Sequence, residues 1–405
     1  MSGALQREPN RKSRMVLPGG LIAILGGGQL GRMTAMAARA MGYRVRVMDP
    51  EAKCPASYVA DETIVGRWDD AEAARRLAEG ADAVTLEIEQ IGADALREVA
   101  RIAPLRPGAE PVRVIQDKTL QKRWLAENAF PVGPFRVVQS EAELRETMEA
   151  LGGNVYLKIG RGGYDGRGQV RIGAGEPVTS APVSKSRPGA PDHFGEALKL
   201  VEAGPCVVER ALDLECEISV MAARNPSGEV KTYPAARNHH ENKILAWSVM
   251  PAGMSSELER RAEKLAAELV TKLGIEGLLC AELFVTRQGE LLVNELAPRP
   301  HNSYHESERG CATSQFEQLV RAVCNLPLGS TELISPAAIV NLLGDVWLDR
   351  EGEPNFAAAL AIPGVRLHLY EKHTPRAGRK MGHLSATGRT AEEALGRVLE
   401  AKRRL

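Results

Sequence analysis

Several features that would place the chain outside the ordinary globular classes are missing from its sequence. No run of about 18 apolar residues occurs, so a transmembrane helix is not expected. Basic and acidic side chains number 52 each, which argues against a general affinity for nucleic acid or an anionic membrane. Only 4% of the 405 residues are aromatic, so the core must be built mainly from Ala, Leu, Val and Ile, as in layered α/β proteins.

Signatures of several common protein classes are also absent. The six cysteines include no C-x-x-C pair, which argues against a zinc site or a disulfide framework and predicts reduced thiols in a cytoplasm. No Gly-x-Ser-x-Gly or His-Glu-x-x-His motif supports a serine hydrolase or a zinc peptidase, and the pair His239-His240 lacks further ligands. Residues 1–17 are basic and polar without an apolar signal core, so we expect a disordered tail and no export.

The first ordered segment reads as a strand, a glycine turn and a helix. The apolar run Leu21 to Leu25 precedes Gly26-x-Gly28-x-x-Gly31, where helix N-terminal amides could bind a phosphate. Asp49 ends the next strand, where a dinucleotide fold places its ribose-binding carboxylate. The alternative is that the glycines only allow tight packing. Further β-α alternation predicts a parallel sheet with helices on both faces, from residue 18 to about 130.

Beyond residue 130 the pattern changes to an α+β arrangement. Pro131 and Pro134 interrupt the chain after a helix that Asp117 can cap, which predicts a domain boundary there. We expect a small unit over 131–206 and a larger one over 207–405. The Pro-rich stretch 173–192 is predicted to be an insertion within the small unit.

A glycine-rich loop after the strand 155–159 is the first candidate for a nucleotide site. Residues 160–168 contain five glycines, and Lys158 lies near the end of the preceding strand. Backbone amides without side chains around them could wrap a triphosphate while Lys158 supplies a positive charge. Because the lysine precedes the glycines, the segment is not a Walker A loop. A plain hairpin tip is the alternative, but it would need none of Tyr164, Asp165 and Arg167.

Two glutamates are predicted to face each other across a hairpin. If Gln288-Gly289 is a two-residue turn, Thr286 pairs with Leu291 and Glu282 lies opposite Glu295. Carboxylates about 5 Å apart repel unless a cation lies between them, and Mg²⁺ prefers such oxygen ligands. The alternative, that both point to solvent, is less compatible with the apolar sequence around Glu282.

Three further segments are candidates for substrate contacts. Arg299, bracketed by prolines and followed by His301-Asn302, could stabilise charge on a transferring phosphoryl group. Glu209 and Glu217 could hold an adenine and a ribose, although strand-edge acids are usually solvated. A Pro- and Gly-containing turn between Lys372 and Arg379 could bring both cations onto one phosphate, unless the run is simply a solvated surface.

Together these motifs resemble the ATP-grasp superfamily, and within it the 5-(carboxyamino)imidazole ribonucleotide synthetases of purine biosynthesis. The resemblance covers residues 21 to about 399 and depends on the order of six motifs. These are Gly-Gly-Gly-Gln-Leu-Gly-Arg32, Gln116-Asp117-Lys118, Arg161-Gly-Gly-Tyr-Asp-Gly-Arg-Gly-Gln169, Asn294-Glu-Leu-Ala-Pro-Arg-Pro-His-Asn302, Thr313-Ser-Gln-Phe-Glu317 and Gly378-Arg-Lys-Met-Gly-His383.

The resemblance implies an ATP-grasp fold behind a Rossmann-like pre-ATP-grasp domain, with ATP and Mg²⁺ as cofactors. It implies a carbon–nitrogen ligase that makes carboxyphosphate from bicarbonate and ATP and carboxylates aminoimidazole ribonucleotide. Arg299, Asp165 and Tyr164 would be catalytic, and Glu282 and Glu295 would bind the metal. The nucleotide would contact Lys118, Lys158, Gly163, Gly166, Gln169, Glu209, Arg210, Leu212, Glu217 and Asn294. The ribonucleotide pocket would contain Gly28, Gln29, Leu30, Glu87, Tyr164, Asp165, Arg167, His301, Asn302, Lys372 and Arg379.

Some segments depart from the family pattern, and other functions stay open. Residues 303–310 read Ser-Tyr-His-Glu-Ser-Glu-Arg-Gly, where relatives usually show an aromatic residue and a threonine, and residues 237–244 differ from the usual Glu-Asn-x-His form. A formate-dependent glycinamide ribonucleotide transformylase is the nearest rival, and a non-catalytic NAD- or nucleotide-binding protein is the rival of another class. We expect a homodimer that passes its product to a separate mutase.

Overall fold

The computed structural model of the protein describes residues 14–163, 168–173, 193–349 and 353–405. Within these ranges the strands form three sheets, two of four strands and one of nine. The predicted site residues Tyr164, Asp165, Gly166 and Arg167 lie outside the described residues, as does 174–192 of the predicted insertion.

The N-terminal domain is a parallel sheet in the order β3-β2-β1-β4, as the β-α alternation predicted. Alternate side chains of its first strand enter two different core clusters, Ile22 and Ile24 in one and Ala23 and Leu25 in the other, so both faces are covered. Its elements are β1 (Leu21–Leu25), α1 (Gln29–Ala40), β2 (Arg44–Asp49), β3 (Glu62–Val65), α2 (Ala71–Ala78), β4 (Ala83–Leu86) and α3 (Ala93–Ile102).

The prediction that the disordered tail extends to residue 17 is wrong, because the chain is already hydrogen-bonded to the folded protein at Val16. The Val16 amide donates to the carbonyl of Cys324 at 2.8 Å, and its carbonyl accepts from the Tyr43 hydroxyl at 2.8 Å. The prediction for residues 1–13 concerns positions outside the described residues.

Two helices connect this domain to the rest of the chain, α4 (Ala109–Gln116) and α5 (Lys118–Glu127). Asp117 caps α5 as predicted, since its carboxylate accepts from the Thr119 amide at 2.9 Å and the Leu120 amide at 3.3 Å. The cap fixes where α5 begins and therefore where Lys118 points.

The small sheet has the order β5-β8-β6-β7, and every pairing in it is antiparallel. The last of its strands along the chain is β8 (Cys206–Arg210). The small unit therefore extends beyond residue 206, where the sequence predicted that it ends. Its elements are β5 (Phe135–Val138), α6 (Glu141–Ala150), β6 (Val155–Ile159), β7 (Gln169–Ile172), α7 (His193–Ala203) and β8 (Cys206–Arg210).

The large sheet has the order β14-β13-β9-β11-β12-β15-β17-β16, with β10 paired to β9. Its strands are β9 (Leu214–Arg224), β10 (Val230–Thr232), β11 (Ala236–Glu241), β12 (Ile244–Met250), β13 (Gly277–Thr286), β14 (Leu291–Ala297), β15 (Ala337–Leu343), β16 (Val365–Leu369) and β17 (Lys380–Thr387). The helices are α8 (Ser256–Lys272), α9 (Ser307–Gly310), α10 (Gln315–Val323), α11 (Asp345–Leu348), α12 (Phe356–Leu360) and α13 (Ala391–Arg404). No helix in the described ranges is long and apolar enough to cross a membrane.

The hairpin between β13 and β14 confirms the predicted pairing of Glu282 with Glu295, but not the predicted turn. Val285 pairs with Leu291, one residue away from the predicted register, and Gly289 adopts a φ of +76° in a longer turn. A bulge then restores the register, because Leu283 pairs with Val293 while Glu282 pairs with Glu295. Asn294 is the extra residue.

One core cluster joins the N-terminal domain to the large sheet. Ile22, Ile24 and Tyr43 share it with Leu278 of β13 and Leu319 of α10. The glycine turn after β1 is thereby held against the end of the large sheet.

Candidate functional site

A cleft of about 380 Å³ lies between the small and the large sheet. A volume of this size is typical of small-molecule sites. It is lined by Lys122, Gly133, Tyr156, Lys158, Gln169, Glu209, Arg210, Leu212, Leu214, Glu217, His240, Lys243, Leu245, Glu282, Phe284, Val293, Asn294, Glu295, His301, Asn302 and Lys380. Most of the residues predicted to bind the nucleotide are therefore brought together.

Glu209, on β8, is the most strongly paired carboxylate of the cleft. Lys122 approaches one of its oxygens to 2.6 Å and Lys158 the other to 2.5 Å. Burial opposes ionisation, but the two lysines hold the pKa of Glu209 at about 2. Because both oxygens are occupied, the structure does not support a direct contact between this side chain and an adenine.

Glu295 forms an ion pair with Lys118 at the start of α5. Its neighbour Asn294 accepts a hydrogen bond from Lys158 at 2.9 Å. Consecutive strand residues normally point to opposite faces, and the bulge at Asn294 is what directs both side chains toward the lysines.

Glu282 and Glu217 each face a histidine. His301 Nε2 lies 3.0 Å from Glu282, and His240 Nδ1 lies 2.6 Å from Glu217. Burial disfavours the charged forms, but the His301 contact lowers the pKa of Glu282 to about 2, and contacts with Cys280 and Glu282 raise the pKa of His301 to about 10. Sequence reasoning assigned no role to His240, whereas the structure places it in the cleft.

The segment after Arg299 is held by a side chain from α10. Gln315 accepts from the His301 amide at 2.8 Å and donates to the His301 carbonyl at 2.9 Å. Asn302 is buried beside the cleft, and neither polar atom of its side-chain amide has a partner. Because an unpaired buried amide is costly, the arrangement favours a ligand that hydrogen-bonds to Asn302.

Arg299 turns toward the N-terminal domain. Its Nε lies 2.8 Å from Glu89, and this pairing raises the pKa of Arg299 although burial acts in the opposite direction. Gln116, from the second motif, donates to the Glu89 carbonyl. The guanidinium therefore lies where the cleft meets the glycine turn.

The glycine turn binds a carboxylate of the chain itself, so the prediction of a phosphate at its amides is wrong. Glu87 accepts from the amides of Gly28, Leu30 and Gly31 at 2.7, 3.1 and 3.0 Å. A Cβ on Gly28 would lie 2.5 Å from a Glu87 oxygen, which explains the glycine. Asp49, compared above with a ribose ligand, likewise accepts from the Gly27 amide at 2.8 Å.

The basic loop of the C-terminal segment reaches the same turn. Lys372 donates to the side chain of Gln29, which joins two predicted substrate residues far apart in sequence. Arg379 donates to the Thr374 carbonyl at 2.9 Å and so closes the loop on itself. Lys372 and Gln29 therefore define a second candidate region, next to the cleft.

Sequence reasoning missed several residues of the cleft. Lys122 follows Lys118 by one helical turn, so the capped start of α5 contained the signal that both share a face. Tyr156, Lys243 and Phe284 had no such signal, because their positions depend on how the two sheets meet. Lys243 donates to the Gln169 carbonyl at 2.6 Å and links the two sheets.

Most of the segment 303–310, which departs from the family pattern, is buried. Tyr304 is fully buried, and its hydroxyl donates to the carbonyls of Ser219 and Pro234 at 2.8 and 2.9 Å. Glu306 accepts from the Ser248 hydroxyl at 3.1 Å, and burial raises its pKa to about 8. At Tyr304 and Glu306 the departure from the family pattern thus concerns packing behind the cleft, whereas the departure at 237–244 contributes His240 and Lys243 to the cleft lining.

Three domain families match successive parts of the chain. The ribonucleotide synthetase preATP-grasp domain matches residues 20–116, the ATP-grasp domain residues 123–316, and the phosphoribosylaminoimidazole carboxylase C-terminal domain residues 337–397. The first covers the parallel sheet, the second the cleft, and the third the strands that flank the basic loop.

Relatives in Bacillus subtilis and Brucella melitensis, both named N5-carboxyaminoimidazole ribonucleotide synthase, are each 40% identical to this chain. The alignments cover 92% and 91% of this chain and 92% and 96% of the relatives. The chain belongs to the N5-carboxyaminoimidazole ribonucleotide synthase family.

Solved structures of this synthase family are similar along the whole chain. The ADP complex of one such synthetase has a TM-score of 0.87 at 39% identity and covers 96% of this chain and 98% of its own. The Aspergillus clavatus synthase in complex with ADP and 5-aminoimidazole ribonucleotide has a TM-score of 0.83 at 30% identity, covering 96% and 99%.

A first prediction concerns Lys122, the buried cation not expected from the sequence. Lys122→Met leaves Glu209 with one lysine, and breaking a buried pair should lower the free energy of unfolding by about 3 to 5 kcal/mol. Urea unfolding followed by tryptophan fluorescence, to which Trp124 in the same helix contributes, measures the loss. Lys264→Met is the matched control, since its 3.8 Å pair with Glu268 is exposed and should contribute less than about 0.5 kcal/mol. Equal losses for the two variants would contradict the assignment.

A second prediction concerns Glu306. Because its folded-state pKa of about 8 lies above the ordinary 4.5, the native state holds the proton more tightly and stability falls as pH rises between these values. Glu306→Gln stays neutral and removes this loss. We expect the difference in melting temperature, variant minus parent, to increase as the pH rises from about 4.5 to about 8. A difference that does not change with pH would show that Glu306 is not the titrating group.

Proposed function

We propose that the protein is an ATP-dependent carbon–nitrogen ligase that carboxylates 5-aminoimidazole ribonucleotide with bicarbonate, giving 5-(carboxyamino)imidazole ribonucleotide, ADP and phosphate. The observation that carries the proposal is the cross-strand pair Glu282 and Glu295, facing Lys118 and Lys158 within one cleft. Family membership supplies the reaction and its place in purine biosynthesis.

The cleft between the sheets takes ATP. Lys118 and Lys158 bind its phosphates, and Glu217 binds the ribose. Gln169, Arg210, Leu212 and Asn294 line the cleft as the resemblance implies. Glu209 acts by positioning Lys158. Gly163 precedes the part of the loop that lies outside the described residues.

The donor set fits a magnesium ion. Glu282 and Glu295 are directly opposed carboxylates whose oxygens are hard ligands, and each is at present balanced by a cation. Mg²⁺ held by them would neutralise charge on the transferring phosphoryl group.

The acceptor ribonucleotide binds between the glycine turn and the basic loop. Lys372 and Arg379 bind its phosphate, and Gln29 positions Lys372. Glu87 shapes this region by fixing the turn from Gly28 to Gly31. The roles of Tyr164, Asp165, Gly166 and Arg167 stay predictions about positions outside the described residues.

Arg299, His301 and Asn302 lie where the two substrates meet. A bicarbonate oxygen attacks the γ-phosphorus, the bond to the bridging oxygen breaks, and ADP and carboxyphosphate form. The amine nitrogen then attacks the carboxyl carbon and loses a proton, while phosphate leaves with the bicarbonate oxygen. Arg299 and His301, which are cationic, stabilise the developing negative charge, and Asn302 has free hydrogen-bonding atoms for the carboxyl group.

The cellular context follows from the same proposal. A cytoplasmic enzyme agrees with six cysteines that are all free. A homodimer and a hand-off of the product to a separate mutase complete the proposal.

ADP release with Mg-ATP tests the substrate assignment. We expect turnover to be stimulated strongly by aminoimidazole ribonucleotide with bicarbonate, and not by glycinamide ribonucleotide with formate. The reverse pattern would favour the transformylase. NAD binding without any ATP turnover would favour the non-catalytic rival built on the first domain.

The second region is tested separately by Lys372→Met. Loss of its charge should raise the KM for aminoimidazole ribonucleotide about tenfold or more, because a charged hydrogen bond contributes about 1.5 to 3 kcal/mol. The KM for ATP should change little. Lys243→Met, on the nucleotide side, is the reciprocal control and should affect ATP. An equal change in both KM values for Lys372→Met would contradict two separate regions.

A further inference from the structure

Two histidines and a glutamate bring their donor atoms close together behind the basic loop. His368 on β16 and His383 on β17 are directly opposed in the sheet, and Glu308 comes from α9. One ligand atom from each residue lies within 4.8 Å of those of the other two. No other group of three or more His, Cys, Asp or Glu side chains meets this condition within the described ranges.

The donors of this cluster have few competing partners. In the described part of the chain, no side-chain hydrogen bond or salt bridge reaches the Glu308 carboxylate, and the His368 ring has only ring contacts. Arg309 and Arg366 act on Glu308 only through their charge, and Arg32 does so on His368. The donor atoms are therefore available, and Glu308, which is exposed, opens the cluster to solvent.

The surroundings hold His383 in an orientation suited to a metal ligand. Its Nδ1 lies 2.8 Å from the Tyr370 hydroxyl, which leaves Nε2 as the available donor. The rings of His305 and His368 both stack on the ring of His383, at centroid distances of 4.6 and 5.1 Å.

We propose that Glu308, His368 and His383 bind a zinc ion, separate from the magnesium ligands of the cleft. Two imidazoles and one carboxylate are a common zinc donor set, completed by water as the fourth ligand. Tetrahedral bonds of about 2.1 Å require donor atoms about 3.4 Å apart, so binding draws together three donor atoms that now lie within 4.8 Å of one another.

The position of the ion suggests what it does. It would fasten α9, which follows the His301–Asn302 segment, to the strands on either side of the basic loop. The ion would therefore stiffen the loop that carries Lys372 and Arg379. The zinc site itself does not depend on which reaction the enzyme catalyses.

Metal binding to the purified, chelator-treated full chain tests the proposal without nucleotide. We expect one Zn²⁺ per chain by elemental analysis, a tetrahedral Co²⁺ absorption spectrum, and a higher melting temperature with Zn²⁺. Affinity should fall at least about tenfold in Glu308→Gln and in His368→Gln. Both side chains are partly exposed, so these variants are expected to fold, which circular dichroism checks.

Two controls separate this cluster from other sites. His373→Gln, in the exposed basic loop, and Glu282→Gln, in the cleft, should both retain the zinc. No stoichiometric zinc in the parent protein would overturn the proposal, as would equal zinc affinity in His368→Gln and His373→Gln. Loss of zinc in Glu282→Gln but not in His368→Gln would assign the ion to the cleft and would equally overturn it.

Discussion

The neutralisation of buried carboxylates is the constraint on which the rest of the site depends. Four glutamates line the cleft, and each faces a basic side chain from another part of the chain. An unpaired buried charge would cost several kcal/mol, so the sheets must meet where these pairs can form. The capped start of α5, the bulge in β14 and the glutamine from α10 each place one member of a pair.

Under the proposed function, this arrangement lets the same residues both stabilise the protein and bind a nucleotide. In the proposed function, a phosphate oxygen replaces Glu295 as the partner of Lys118, and a divalent cation replaces Lys118 and His301 as the partner of Glu295 and Glu282. Glu209 keeps its two lysines, so ligand binding exchanges ion pairs at Lys118 and Glu295 without leaving either charge unpaired. The N-terminal turn follows the same rule, because Glu87 satisfies amides that would otherwise need an external anion.

The parts of the fold and of the site that depend on neighbouring residues in the chain could be predicted from the sequence. Strand β6 was predicted residue for residue, and the Asp117 cap and the Glu282–Glu295 pairing follow from turn and capping chemistry. The hairpin register near the turn was wrong by one residue, because a bulge has no clear sequence signature. The partners of Glu209, Glu87 and Arg299 could not be predicted, since they are set by how separate domains pack. The role of His240 was missed for the same reason.

Mn²⁺ binding to the nucleotide-free enzyme tests the exchange most directly. If Lys118 occupies Glu295 until phosphate displaces it, Lys118→Met should bind Mn²⁺ more tightly than the parent, as measured by the loss of the free-ion electron paramagnetic resonance signal. Adding Glu295→Gln to that variant should abolish the gain. Equal Mn²⁺ affinity in the parent and in Lys118→Met would contradict the account, because Glu295 would then already be free to bind the metal.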